Sequence, residues 1–238
     1  VHAFRWTQPS GLEDLGDLPG GGNSSMAQAA SGDGSIVVGQ SSSQASQAGG
    51  GDAAFRWTQP SGMTAIGGLP GSLSTSRAWD ISADGTVIVG NTGLGYATSG
   101  SEAFRWTSSG GGVGLGDLAG GGFASEATGV SADGSVVVGV GRSEILGFSS
   151  CEAFRWTQAL GMVGLGLIQG GKCGALGSRA TGVSGDGLVI VGQSCSPQGY
   201  EAFRWTEAGG MVGLGNLFSG QIGSRADAAS GDGSVVVG

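Results

Sequence analysis

The chain has 238 residues, enough for one domain with a sizeable core, and sets 10 Lys and Arg against 18 Asp and Glu for a net charge of −8. The basic residues are spread evenly, so there is no basic stripe to neutralise phosphates and nucleic acid is not an expected partner. Gly numbers 54, yet 39% of residues are apolar and five tryptophans recur in register, so the glycines read as turns of a folded chain.

The first strand-like stretch is "AFRWT" at 3–7, where Phe4 and Trp6 share one face and Arg5 takes the other. A short link leads to a second stretch, seen as "MVGLG" at 162–166 in a later copy. A third follows, for example "ATGVS" at 127–131. The tight turn S-x-D-G then leads into a continuously apolar, β-branched run such as "SVVVG" at 135–139, the pattern of a strand buried on both faces. AFRWT returns at 54–58, 103–107, 153–157 and 202–206. From Phe4, Phe55, Phe104 and Phe203 to the next turn aspartate is 29 residues each time, and from Phe154 it is 32. From the turn aspartate to the next phenylalanine the intervals are 22, 20, 21 and 17, so length varies mainly in one connection.

Four short antiparallel strands per unit of roughly 50 residues, with no helical period, predict an all-β fold: a five-bladed β-propeller spanning 1–238 as a single domain. Its units begin near 3, 54, 103, 153 and 202. Counted from ATGVS, a unit has AFRWT as its third strand and the β-branched run as its second; the chain starts on the former and stops after the latter, so the last blade is expected to be closed by the N- and C-terminal strands. A start at Val1 without Met reads as a mature or excised piece. The strand that precedes each S-x-D-G turn should line the axis, where Ala29, Gly129, Gly182 and Ala228 are small and Asp80 is the exception, a candidate for an axial channel or ligand site.

The pattern "EAFRWT…GMVGLGDL…ATGVSADGSVVVG", with His2-Ala3-Phe4 in the first copy, resembles the HAF family of probable extracellular repeats of bacterial secreted and surface proteins. The resemblance covers all five units. Ala53, Glu102, Glu152 and Glu201 replace the histidine in the others. It implies an extracellular or cell-surface location and no chemistry. A looser similarity to Trp-Asp repeat propellers stops at the residue after Trp, which is Thr here, so their Asp-centred network does not carry over.

The five arginines of AFRWT (Arg5, Arg56, Arg105, Arg155, Arg204) equal in number the five turn aspartates (Asp33, Asp84, Asp133, Asp186, Asp232), and each arginine is expected to bond a turn aspartate or a backbone carbonyl. Catalysis has little to work with: His2 is the one imidazole, no nucleophile elbow or phosphate cradle is present, and Asp80, Asp227, Glu126 and Glu144 are the few acids outside a repeat slot. A glycoside hydrolase with paired carboxylates is the enzymatic alternative. No metal or cofactor is expected, and no apolar run is long enough to span a membrane.

All the length freedom should emerge on one end of the ring, in loops 40–53, 91–102, 140–152 and 193–201. Tyr96, Phe148, Tyr200 and Arg142 lie in these loops, and Phe123 and Phe218 in the other connections of the same face. Aromatics on loops held by a stiff scaffold suit recognition of a protein or glycan ligand. Cys151, Cys173 and Cys195 also read as loop residues of that face and as disulfide candidates, their pairing open. The expected function is a non-catalytic interaction module, with a structural unit of a surface layer or filament, hence self-assembly, as the alternative.

Overall fold

The computed structural model describes residues 1–43, 51–70, 75–93, 100–144, 150–171, 177–217 and 223–238. Within them every helix or strand is a strand, and the strands form four-stranded antiparallel sheets in simple chain order. The first such sheet holds β3 (Ser25–Ala30), β4 (Ile36–Ser42), β5 (Asp52–Thr58) and β6 (Gly62–Ala65). Next come β7 (Ser76–Ile81), β8 (Val87–Thr92), β9 (Glu102–Thr107) and β10 (Gly111–Gly114), then β11 (Ser125–Val130), β12 (Val136–Ser143), β13 (Ser150–Thr157) and β14 (Gly161–Gly164). The last contains β15 (Ser178–Val183), β16 (Ile190–Ser196), β17 (Gly199–Thr206) and β18 (Gly210–Gly213). Two-stranded sheets flank these: β1 (Phe4–Thr7) with β2 (Gly11–Asp14), and β19 (Ala228–Ala229) with β20 (Val236–Val237).

The β-branched run explains why the sheets stack face to face. Neighbouring residues of one strand point to opposite faces, and each face belongs to a different core cluster: Val37 packs with Phe55 and Trp57, whereas Val38 packs with Ile88 and Phe104. Val137 and Val138 divide in the same way between the clusters of Phe154 and Phe203. Burying each such side chain stabilises the fold by about 1.5–3 kcal/mol. Phe55, Phe104, Phe154 and Phe203 are fully buried, each ring lying against a bare glycine of the adjacent strand, Gly39, Gly90, Gly139 and Gly192.

Side-chain hydroxyls join one sheet to the next. Ser25, Ser76, Ser125, Ser178 and Ser224 accept the backbone N–H of Ala3, Ala54, Ala103, Ala153 and Ala202 at 2.8–3.0 Å. Four of these serines donate in turn to the carbonyls of Gly16, Gly116, Gly166 and Gly215. The S-x-D-G turns are closed locally: Asp33 accepts from the Ser31 hydroxyl at 2.7 Å and from the Ser35 N–H at 3.0 Å, and the other four turns repeat the pattern. The turns are then linked in series, Gly32 N–H to Ala83 carbonyl, Ala83 to Ala132, Ala132 to Gly185, and Asp186 to Gly231.

That series stops at Gly231, whose Cβ position meets no atom within 4 Å. The closure expected of the terminal strands is absent: β1–β2 packs on the sheet of β3–β6, β19–β20 packs on the sheet of β15–β18, and β20 does not pair with β1. Phe4 and Trp6 are 60% and 62% exposed where Phe55 and Trp57 are 0% and 4%. Counting strands supplies the complement for another blade, but the angle between neighbouring sheets is set by side-chain packing, which the count does not contain.

Candidate functional site

The connections between the second and third strand of each sheet are shorter than the sequence suggests. Strands β12 and β13 extend past Arg142 opposite Cys151 to Ser143 opposite Ser150, and β16 and β17 past Cys195 opposite Tyr200 to Ser196 opposite Gly199. Cys151, Cys195, Arg142 and Tyr200, expected in loops, therefore stand on strands. The reason is that Ser and Gln in these segments extend the ladder: the Ser41 and Ser194 hydroxyls accept the N–H groups of Leu18 and Ile168, so polar residues that resemble loop are pinned in sheet. Tyr96, Phe148, Phe218 and Cys173 lie outside the described residues.

Phe123 and Arg142 are brought together at one end of the sheet formed by β11–β14. Asp117 clamps the connection that carries the phenylalanine, accepting the N–H groups of Leu118 at 2.9 Å and Ala124 at 3.0 Å. The Phe123 carbonyl accepts the Gly100 N–H at 3.0 Å, while its ring stays 56% exposed. Gly122, its neighbour, lies against the Arg142 side chain, and Arg142 is half-buried between Asp117 and Cys151. Burial pushes the Asp117 carboxyl above its ordinary value, its two backbone hydrogen bonds and the Arg142 charge pulling the other way. Tyr200, on the next sheet, is half-buried, and its carbonyl accepts the Ser224 N–H. Cys195 is disulfide-bonded, whereas Cys151 is a free thiol whose pKa burial raises.

Asp80 has a structural role. It follows a bulge in β7, and bulges recur at the matching place in β3, β11 and β15. Its carboxylate accepts the N–H of Ile81 at 2.8 Å and, from the adjacent sheet, that of Val130 at 2.9 Å. Thr128 and Thr181, at the bulges of β11 and β15, make the equivalent sheet-to-sheet link with hydroxyls donated to the Ala180 and Ala226 carbonyls. The sheets approach closely here: a Cβ on Gly129 would lie 3.2 Å from a Val138 methyl, and one on Gly182 3.2 Å from the Asp227 carbonyl oxygen.

The other charged candidates are also engaged. Glu126 is buried and meets Arg179 of the neighbouring sheet at 2.8 Å, and Asp227 meets Arg225. His2 bonds Asp14 at 2.8 Å. Glu144 lies beside Gly120. Among the described residues no three His, Cys, Asp or Glu side chains come together to hold a metal ion. Nor is any helix among them long and apolar enough to cross a membrane. None of the AFRWT arginines pairs with a turn aspartate, because those carboxylates are already filled by their own turns. Arg5 instead donates to the Gly34 carbonyl at 3.3 Å and to Glu13 at 3.0 Å, with its guanidinium 4.8 Å from the Trp57 ring centroid. Arg155 and Arg204 line one cleft between sheets and Arg105 and Arg155 the next, each arginine half-buried.

No family model matches the chain, and no curated protein sequence does. Among solved structures it is similar to TolB from Acinetobacter baumannii, with a TM-score of 0.54 and 15% identity over 87% of this chain and 46% of that one. It is also similar to a TolB-type protein from Agrobacterium tumefaciens, with a TM-score of 0.53 and 13% identity over 86% of this chain and 65% of that one. The chain thus spans about half to two thirds of the length of these structures. At such identity the likeness speaks to fold alone. Together with the four-stranded antiparallel sheets, it defines a β-propeller-type repeat protein.

Proposed function

We propose that this protein is a non-catalytic interaction module of the bacterial cell envelope or exterior, an HAF-type repeat protein that binds a protein or glycan through the end of the sheets carrying Phe123, Arg142 and Tyr200. The observation that carries this reading is the exposed Phe123 ring on a connection whose next peptide group is held twice, its carbonyl by the Gly100 N–H and its N–H by Asp117. A rigid aromatic held in water binds at low entropic cost. The disulfide at Cys195 supports an oxidising compartment, and the engagement of Glu126, Asp227 and Asp80 in structural contacts supports a non-catalytic role over a paired-carboxylate hydrolase.

A glycan array and a pull-down from envelope fractions, each run with the parent chain and with Phe123→Ser and Tyr200→Ser, test the reading. Binding that falls at least tenfold in either variant is the expected result; a ligand retained at full strength by both would refute the assigned face.

A further inference from the structure

Arg105 of β9 and Arg155 of β13 line one cleft between adjacent sheets. Side chains directly opposite on paired strands share a face, so the residue across from each AFRWT arginine decides whether it finds a carboxylate in its own sheet. Across from Arg5 that residue is Glu13, and the two pair at 3.0 Å. Across from Arg105 it is Val113 and across from Arg155 it is Val163, 60% and 46% exposed. Among the described residues the Arg105 and Arg155 side chains, both half-buried, make no hydrogen bond and no ion pair.

The cleft has a volume of about 310 Å³; Ser135, Trp156, Thr157 and Gln158 also line it, and none of its described lining residues is acidic. Two clefts built in the same way differ on this point. Where Arg155 and Arg204 meet, Glu207 stands in the place of Gln158, with Asp186 and Asp232 beside it. Where Arg5 and Arg56 meet, Arg5 is already held by Glu13 and the Gly34 carbonyl. Of the three, the cleft of Arg105 and Arg155 is thus the one in which two guanidinium groups share a cavity without a carboxylate from the described residues. A half-buried guanidinium without an acceptor is costly, and a carboxylate is the acceptor that fits its forked donors. The rest of the lining selects what carries that carboxylate. Thr157 and Gln158 each donate and accept, and the Ser135 hydroxyl, which donates to Asp133 at 2.8 Å, still accepts. An inorganic anion offers acceptors alone, whereas a sugar hydroxyl does both; the half-buried Trp156 indole adds apolar surface for a pyranose ring and an N–H donor.

We propose that this cleft binds a carboxylated sugar, one uronic-acid unit of an acidic glycan, with its carboxylate between Arg105 and Arg155 and its hydroxyls on Gln158, Thr157 and Ser135. The volume lies at the lower end of small-ligand sites, about 300–1,000 Å³, and suits a single unit. The site is separate from the Phe123 surface. Along the ladder of β12 and β13, Val136 opposite Thr157 marks the end at the cleft, and Arg142 opposite Cys151 lies toward the other end. A ligand at one end therefore neither requires nor excludes a ligand at the other.

Galacturonate is the probe, with galactose and acetate as its neutral and its sugar-free counterparts. NMR titration followed at the Arg105 Nε–H and the Trp156 Nε1–H should show saturable shifts with galacturonate and binding at least about tenfold weaker for either counterpart, each of which lacks one of the two sets of hydrogen bonds. Val113→Glu offers Arg105 the carboxylate that Glu13 offers Arg5; the position is exposed, so the fold is retained and is checked by circular dichroism. This variant should lose at least about tenfold in affinity, as should Arg105→Gln, whereas Val113→Gln, of the same length and uncharged, should stay within about threefold of the parent chain. Acetate bound as tightly as galacturonate would overturn the sugar assignment. A parent chain without saturable galacturonate shifts, or Val113→Glu and Arg105→Gln variants that bind as the parent does, would overturn the site itself.

Discussion

The ring of Phe154 lies in the space that a side chain on Gly139 would take: a Cβ there would come within 2.8 Å of the ring Cζ. The two residues face each other across β12 and β13, and the pair recurs as Phe55 with Gly39, Phe104 with Gly90 and Phe203 with Gly192. Neither neighbour can give way, since the same Cβ would also run into the Glu126 carbonyl oxygen. Gly139→Ala is therefore expected to destabilise the protein by about 1–3 kcal/mol, the usual range for overpacking a closed core. Urea unfolding measures it, and an unchanged midpoint would show that the sheet can shift to admit a methyl group.

The tryptophans of AFRWT separate by position. Trp57 is buried against Leu15 and Leu18, so Trp57→Ala should cost about 3–5 kcal/mol. Trp6→Ala, at a side chain 62% exposed, should change stability by less than about 0.5 kcal/mol in dilute solution. Equal losses in thermal unfolding at low concentration would mean that β1 is covered within the single chain.

The serine links are a further test of how the sheets are joined. The buried Ser125 hydroxyl accepts the Ala103 N–H at 3.0 Å and donates to the Gly116 carbonyl at 2.7 Å. Ser125→Ala leaves both groups without that partner and is expected to cost about 1–3 kcal/mol. Faster amide exchange at Ala103 should accompany the loss; an unaltered rate would assign the link no role.

Acid titration should show two opposite effects. Burial pushes the Asp80 carboxyl up to about 6, from an ordinary value of 3.8. Its pKa is higher folded than unfolded, so the folded chain binds more protons between these values, and stability falls as pH rises from about 4 to about 6, then levels. Two pH units correspond to about 3 kcal/mol as an upper bound. Asp80→Asn removes the charge and keeps an oxygen for one backbone N–H, so unfolding free energies measured from pH 4 to 7 should lose that slope. Asp33, Asp133 and Asp232 behave in the other sense: hydroxyls of their own turns, followed by backbone N–H groups, hold them at about 2. Their contribution is complete above about 4 and is lost as pH falls through about 2. An Asp80→Asn protein with the parent slope between pH 4 and 6 would assign that slope to other groups.

The strand order within a unit, the tight S-x-D-G turn and the burial of phenylalanine and valine are local consequences of sequence. Alternation decides which face a side chain takes, β-branching favours the strand, and glycine at positive φ, 68° at Gly34 for example, permits the turn. The serine links were equally present as a recurrent Ser 22 residues after four of the five AFRWT alanines, but a lone serine reads as loop until its hydroxyl is seen to fill a backbone N–H on the next sheet. Only the tertiary structure decided three other matters. It placed Cys195 and Tyr200 opposite one another on strands, because pairing propagates from an established ladder into segments whose composition alone suggests loop. It gave Asp80 two backbone donors, one from an adjacent sheet far away in sequence. And it left β1 and β20 apart, because the sequence states which strands are complementary, whereas whether they meet depends on the angle that packed side chains set between one sheet and the next.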